Sequence, residues 1–128
     1  MKVLLFILLS FFVDGDISEY PIIKMMHAEA VQVRKDNNIN EELILDEECC
    51  KIAQRWANHM AETNSMYHGG GEQIIAMGYD TPQLTMKAWR NSSGHWAWLG
   101  SKSKFCGWGC QKSKSGVWYW AGVFRNKK

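Results

Sequence analysis

At Phe105 the chain changes its hydrophobic period. Upstream, apolar residues recur three and four positions apart. Downstream they alternate, over Phe105 to Gln111 and again over Val117 to Phe124. The first spacing places apolar side chains on one face of a helix, and the second on one face of a strand. The polar stretch Lys112 to Gly116 between the two alternating runs reads as a hairpin loop. A chain that is helical first and ends in a hairpin must bury its helices against an antiparallel sheet, which predicts an α+β fold.

The helical part divides at its turn residues. Pro21 suits a first turn, and Ile22, Ile23, Met26, Ala30 and Val33 form an apolar stripe that should end near Asp36-Asn37-Asn38. A short connection carries Leu43 and Leu45. Asp46 is an expected N-cap for a helix over residues 46–63, where Cys49, Ile52, Ala53, Trp56 and Met60 give the strongest periodic pattern in the chain. His59 lies at the boundary of that stripe. Residues 64–71 read as a glycine-rich loop. Thr81-Pro82 opens another helix, with Leu84, Met86 and Ala88 expected to face inward and Trp89 near its end. Ser92-Ser93-Gly94 interrupts it, leaving one further turn over His95 to Leu99.

The 128 residues suffice for one domain with its own core, expected over 20–126. With a net charge of +2 and lysines that are scattered apart from Lys102/Lys104/Lys112/Lys114 and the Lys127-Lys128 tail, a nucleic-acid-binding face is not expected. Met1-Lys2, the apolar run Val3 to Val13 and Asp14-Gly15-Asp16 have the form of a secretory leader over 1–15. The run is too short for a stable membrane span, which needs about 20 residues.

Secretion bears on the four cysteines at 49, 50, 106 and 110. A vicinal bridge on a helix is strained. Cys106 and Cys110 in an extended strand lie about 13 Å apart, beyond disulfide reach. A bridge is therefore expected between helix and strand, Cys49 to Cys106 or Cys110, with four buried free thiols as the alternative.

The chemistry concentrates between Tyr67 and Trp98. His68, Glu72 and His95 each stand beside glycine, and two imidazoles with one carboxylate suit zinc or acid–base work. No Ser or Cys nucleophile with a clear partner stands out. Ser92 and Ser93 read as turn formers. Five tryptophans (96, 98, 108, 118 and 120) crowd the last third, where packing is the first expectation. An exposed platform for a sugar ring or lipid tail is the second, with Trp96 and Trp98 beside His95. Asn91-Ser92-Ser93 has the form of a glycosylation sequon.

Four anchors occur in order: Leu-x-x-Asp-x-x-Cys running to Ala53 and Ala57 (43–57), His68-Gly69, Gly-Glu-x-Ile-x-Ala (71–76) and Trp-x-Asn-Ser-x-Gly-His (89–95). The strand pattern Gly107-x-Gly109 and an aromatic strand ending Val123-Phe124 follow. Together they resemble the CAP superfamily, the SCP or cysteine-rich secretory protein domain, in its compact bacterial and viral form, over about residues 22–126. The resemblance implies a three-layer α-β-α sandwich with a central antiparallel sheet. It also implies an open cleft lined by His68, Glu72 and His95, where zinc or another divalent cation sits between the histidines; Ser93, Trp96 and Trp98, next to His95 in sequence, are the expected walls of that cleft.

The chain departs from the family pattern in three places. Asn91-Ser92-Ser93 stands where larger members carry a second Glu, Gln73 replaces the usual Asn, and His27-Ala28 lacks the Arg of the matching turn. The expectation is a secreted domain that binds a divalent cation and an extracellular protein, glycan or lipid. The alternatives are a metal-assisted, peptidase-like hydrolase with Glu72 as catalytic base, and a Trp-rich glycan- or lipid-binding module.

Overall fold

The computed structural model describes residues 15–127, so the expected leader lies outside the described residues except for Gly15. A 3-10 turn, Ile17–Glu19, precedes four helices and four strands: α1 (Pro21–Asp36), β1 (Ile44–Leu45), α2 (Glu47–Thr63), β2 (Ile74–Met77), α3 (Pro82–Arg90), α4 (Ser93–Leu99), β3 (Phe105–Lys112) and β4 (Trp118–Arg125). The sheet order is β1-β3-β4-β2. The three longer strands are antiparallel, with Cys110 opposite Trp120 and Ile75 opposite Ala121, while β1 runs parallel to β3. The sheet is therefore mixed at one edge.

The caps act where the sequence placed them. Asp46 accepts from the Cys49 amide at 3.0 Å, and Thr81 Oγ1 from the Leu84 amide at 3.1 Å. Asn64 ends α2 in the left-handed region, at φ 50°.

Strand alternation divides the core into two layers. Trp108, Trp120 and Phe124 pack on one face with Met26, Met86 and Trp89 of α1 and α3. Tyr119, Ala121 and Val123 pack on the other with Ala53, Met60 and Ala61 of α2. This is the α-β-α sandwich.

Helix α2 approaches β3 unusually closely, because β3 offers glycine there. A Cβ on Gly107 would lie 2.1 Å from the Cys50 nitrogen, and one on Gly109 2.4 Å from the Gln54 nitrogen. The close approach brings Gln54 onto the edge of β3 beyond the short β1. Its amide donates to the Cys110 carbonyl at 2.6 Å and accepts from the Cys110 N–H at 3.2 Å, standing in for a neighbouring strand.

The same geometry overturns the expected disulfide. All four cysteines are free and buried. Gly107 and Gly109 face α2, so strand alternation turns the side chains of Cys106 and Cys110 to the opposite face. The backbone of β3 thus separates them from Cys49. Burial pushes the thiols of Cys49, Cys50 and Cys110 up to about 12 and raises that of Cys106 as well.

A second correction concerns α3. Leu84 is exposed, and the buried face is Pro82, Thr85, Met86 and Trp89. The phase is set by Trp89, whose Nε1 donates to the Ile75 carbonyl at 3.0 Å and locks α3 over the edge of β2. Strands β1 and β2 were not anticipated. Ile74, Ile75 and Ala76 are buried in sequence, so β2 shows no alternation to read. Strand β1 is held by the Ile44 N–H donating to the Lys104 carbonyl and the Asp46 N–H donating to the Cys106 carbonyl, both far away in the chain.

Candidate functional site

The loop from Asn64 to Gln73 is folded onto Trp56. Gly70 lies so close that a Cβ there would meet the indole at 2.4 Å, and Trp56 Nε1 donates to the Tyr67 carbonyl at 2.8 Å. Gly71 takes φ +90°, which glycine adopts without strain, and its carbonyl accepts from Arg125 Nη2 at 3.1 Å.

Glu72 sits inside this loop with its side chain 0% exposed. Its carboxylate accepts from Gly70 N at 2.7 Å, Gly69 N at 3.2 Å and His68 Nδ1 at 2.7 Å. A carboxylate in that position makes Nδ1 the donor, so the lone pair of neutral His68 resides on Nε2, in an exposed side chain. Gln73, next in sequence, sends Oε1 to the Phe124 amide at 2.7 Å and fastens the loop to β4.

His95 comes from the other side, on α4. Its ring lies 6.5 Å from that of Trp89, and its Nδ1 is buried without a hydrogen-bond partner. Burial lowers its pKa, and the nearby charge of His68 lowers it further. Both effects favour the neutral imidazole, the form that ligates metals.

Arg34 anchors the far end of α4. It is 2% exposed, and it donates from Nε to the Leu99 carbonyl at 3.0 Å and from Nη2 to the Ser101 carbonyl at 2.6 Å. A cation at a helix C-terminus complements the dipole there. Gln73 stood out only as a departure from the family pattern, and nothing in the local sequence marked Arg34, whose closest partners are the distant Leu99 and Ser101 carbonyls.

The remaining predicted residues divide by burial. Ser93 is exposed at the start of α4. Trp96 is half-buried against the main core and so forms a wall more than an open surface. Trp98, three residues after His95 and on the same helical face, is 39% exposed and stacks on Phe124 at 6.2 Å. Of the other tryptophans, Trp108 and Trp120 are fully buried and Trp118 is partly buried. They serve packing.

As donors to a cation, the residues present are two imidazoles. Both oxygens of Glu72 already accept from the loop, and no group of three or more His, Cys, Asp or Glu side chains is gathered for a metal among the described residues. The donor set fits an open, two-histidine site with a carboxylate behind one ligand, and it does not fit a closed structural zinc site.

The fold is CAP-like. It superposes on an outer surface protein from Borrelia burgdorferi with a TM-score of 0.70 at 21% identity, covering 82% of this chain and 92% of that one. It is also similar to venom allergen-like protein 4 from Schistosoma mansoni, a CAP protein, with a TM-score of 0.61 at 13% identity, covering 85% of this chain and 91% of that one. No family model matches the chain, and no curated protein matches it in sequence. Among the described residues no helix is long and apolar enough to cross a membrane.

Proposed function

We propose that this chain is an extracellular CAP-like binding domain in which His68 and His95 hold a divalent cation, with zinc the best match to imidazole donors. Glu72 orients His68 from behind. The observation that carries this reading is the 2.7 Å contact from His68 Nδ1 to a fully buried carboxylate, the arrangement that fixes the ring and turns Nε2 outward. Two protein ligands leave coordination positions open for a group on an extracellular protein, glycan or lipid. Trp98 provides an apolar surface beside them. The name of the Borrelia neighbour, an outer surface protein, supports an external location, as does the leader-like start of the sequence.

The burial of Glu72 supports a positioning role over proton abstraction, so binding is preferred to metal-assisted hydrolysis. The test is zinc calorimetry on the wild-type chain and on His68→Ala/His95→Ala. A Kd of about 10 μM or tighter that is lost in the double variant supports the reading. Binding that is absent, or unchanged by the substitutions, overturns it.

A further inference from the structure

A second polar depression, lined by neither His68 nor His95, lies where the end of α2 meets the β3–β4 hairpin. A depression of about 260 Å³ there is lined by Asn58, Glu62, Asn64, Gln111, Lys112 and Lys114, among others. Its charges are unspent. Glu62, Lys112 and Lys114 form no ion pair among the described residues, although all three border one small space.

Its amides are oriented by the fold. Asn58 Oδ1 accepts from Gln54 Nε2 at 2.8 Å, and Asn64 Oδ1 accepts from Ser115 Oγ at 3.1 Å. Each asparagine thus spends its acceptor on the protein and keeps its NH2 group free. Gln111 does the reverse: its Nε2 donates to the Lys112 carbonyl at 3.2 Å, which leaves Oε1 free. The orientation of Asn58 follows from Gln54, whose own amide is fixed by both backbone groups of Cys110.

The free groups are therefore two amide NH2 donors and two ammonium groups, set against one carboxylate and one amide oxygen. A ligand that satisfies them carries an anionic group for the lysines, and hydroxyls that accept from the asparagines and donate to Glu62 and Gln111. The volume is slightly below the usual range for drug-sized ligands, of about 300–1,000 Å³, and suits a single sugar ring. We propose that the depression formed by Asn58, Glu62, Asn64, Gln111, Lys112 and Lys114 binds a carboxylate-bearing monosaccharide of the hexuronate type. No aromatic ring lines it, so binding is polar and weak, at millimolar concentrations, and it is screened by salt because Lys114 is exposed and Lys112 half-buried.

The experiment follows side-chain and backbone amides by two-dimensional NMR on the full chain, with D-glucuronate, D-glucose and acetate as probes. Glucuronate is expected to give saturable shifts at Asn58, Asn64 and Gln111. Glucose and acetate should each bind about tenfold more weakly, since each lacks one half of the recognition. Lys112→Gln/Lys114→Gln, which keeps side chains of similar length while removing both charges, should weaken glucuronate by about tenfold, and Asn58→Asp should weaken it further by repulsion. His68→Ala/His95→Ala should leave it unchanged, which separates this site from the cation site. The proposal is overturned by any of four results: no saturation up to about 50 mM glucuronate, equal binding of glucose or acetate, indifference to the lysine substitutions, or loss of binding in the histidine variant.

Discussion

Replacing Glu72 by Gln changes one atom and removes one charge, yet the loop leaves little room for the change. The carboxylate takes three donors, on both of its oxygens. Glutamine has a single acceptor oxygen. If that oxygen keeps His68 and Gly69, the new NH2 group faces the Gly70 N–H, donor against donor. If it keeps Gly70, the Gly69 contact is lost, and the His68 contact survives only with Nδ1 as acceptor, which moves the ring proton to Nε2. Either way at least one charge-assisted bond disappears, worth roughly 1.5–3 kcal/mol, and the survivors weaken. The closed loop is expected to lose about 2–4 kcal/mol, a large part of a total stability of about 5–15 kcal/mol. The exposed loop can relieve some of this by opening locally, which also frees the ring of His68.

Two measurements follow from that reasoning. The urea midpoint of Glu72→Gln should fall. Its zinc affinity should drop about 10–100-fold, the usual cost of losing a carboxylate behind a histidine ligand. A base acting on bound water predicts the opposite pattern, with affinity retained and turnover lost. If Glu72→Gln keeps both its midpoint and its zinc affinity within about twofold, the carboxylate does not hold this loop, and the positioning argument is refuted.

Gly109→Ala should cost about 3 kcal/mol or more, because the new Cβ meets helix backbone at 2.4 Å and α2 must lift off the sheet. Gly78→Ala, with φ +91° and open space around it, should cost about 1–2 kcal/mol from strain alone, and equal losses in urea titrations would contradict the close-packing account. The native thiols should resist a thiol reagent such as DTNB and all four should react in denaturant, given burial and values raised to about 12 at Cys49, Cys50 and Cys110. Rapid labelling of the folded chain would count against that burial.

Stability should also fall in mild acid. Burial lowers the pKa of His27 and of His95, so the unfolded chain takes up protons first as the pH drops below about 6.5. The contribution is full above that pH and is lost as pH falls through the depressed native values. His27→Asn should flatten the decline of the urea midpoint between about pH 7 and about pH 5, and an unchanged slope would remove His27 from the explanation.

The local sequence determined much of this protein. Helix α2 was legible because its stripe, its Asp46 cap and its left-handed end at Asn64 are all encoded within one stretch of chain. The β3–β4 hairpin was legible because alternation needs no distant partner to be seen. The family resemblance, not local periodicity, singled out His68, Glu72 and His95 as one cleft, and of these the structure sets Glu72 against His68 at 2.7 Å.

What the tertiary structure decided were the features that depend on residues far apart. Strand β2 is buried on both faces and so has no period to read. The phase of α3 was settled by Trp89 reaching Ile75, which exposed Leu84. The cysteine outcome turned on which face of β3 meets α2, and glycines at 107 and 109 gave that face to the helix. The role of Glu72 also changed once the loop was closed. A carboxylate that reads as a reactive group in sequence lies 0% exposed, with three donors on it. Sequence records which groups are present, while burial and hydrogen bonding decide which of their lone pairs remain free for chemistry.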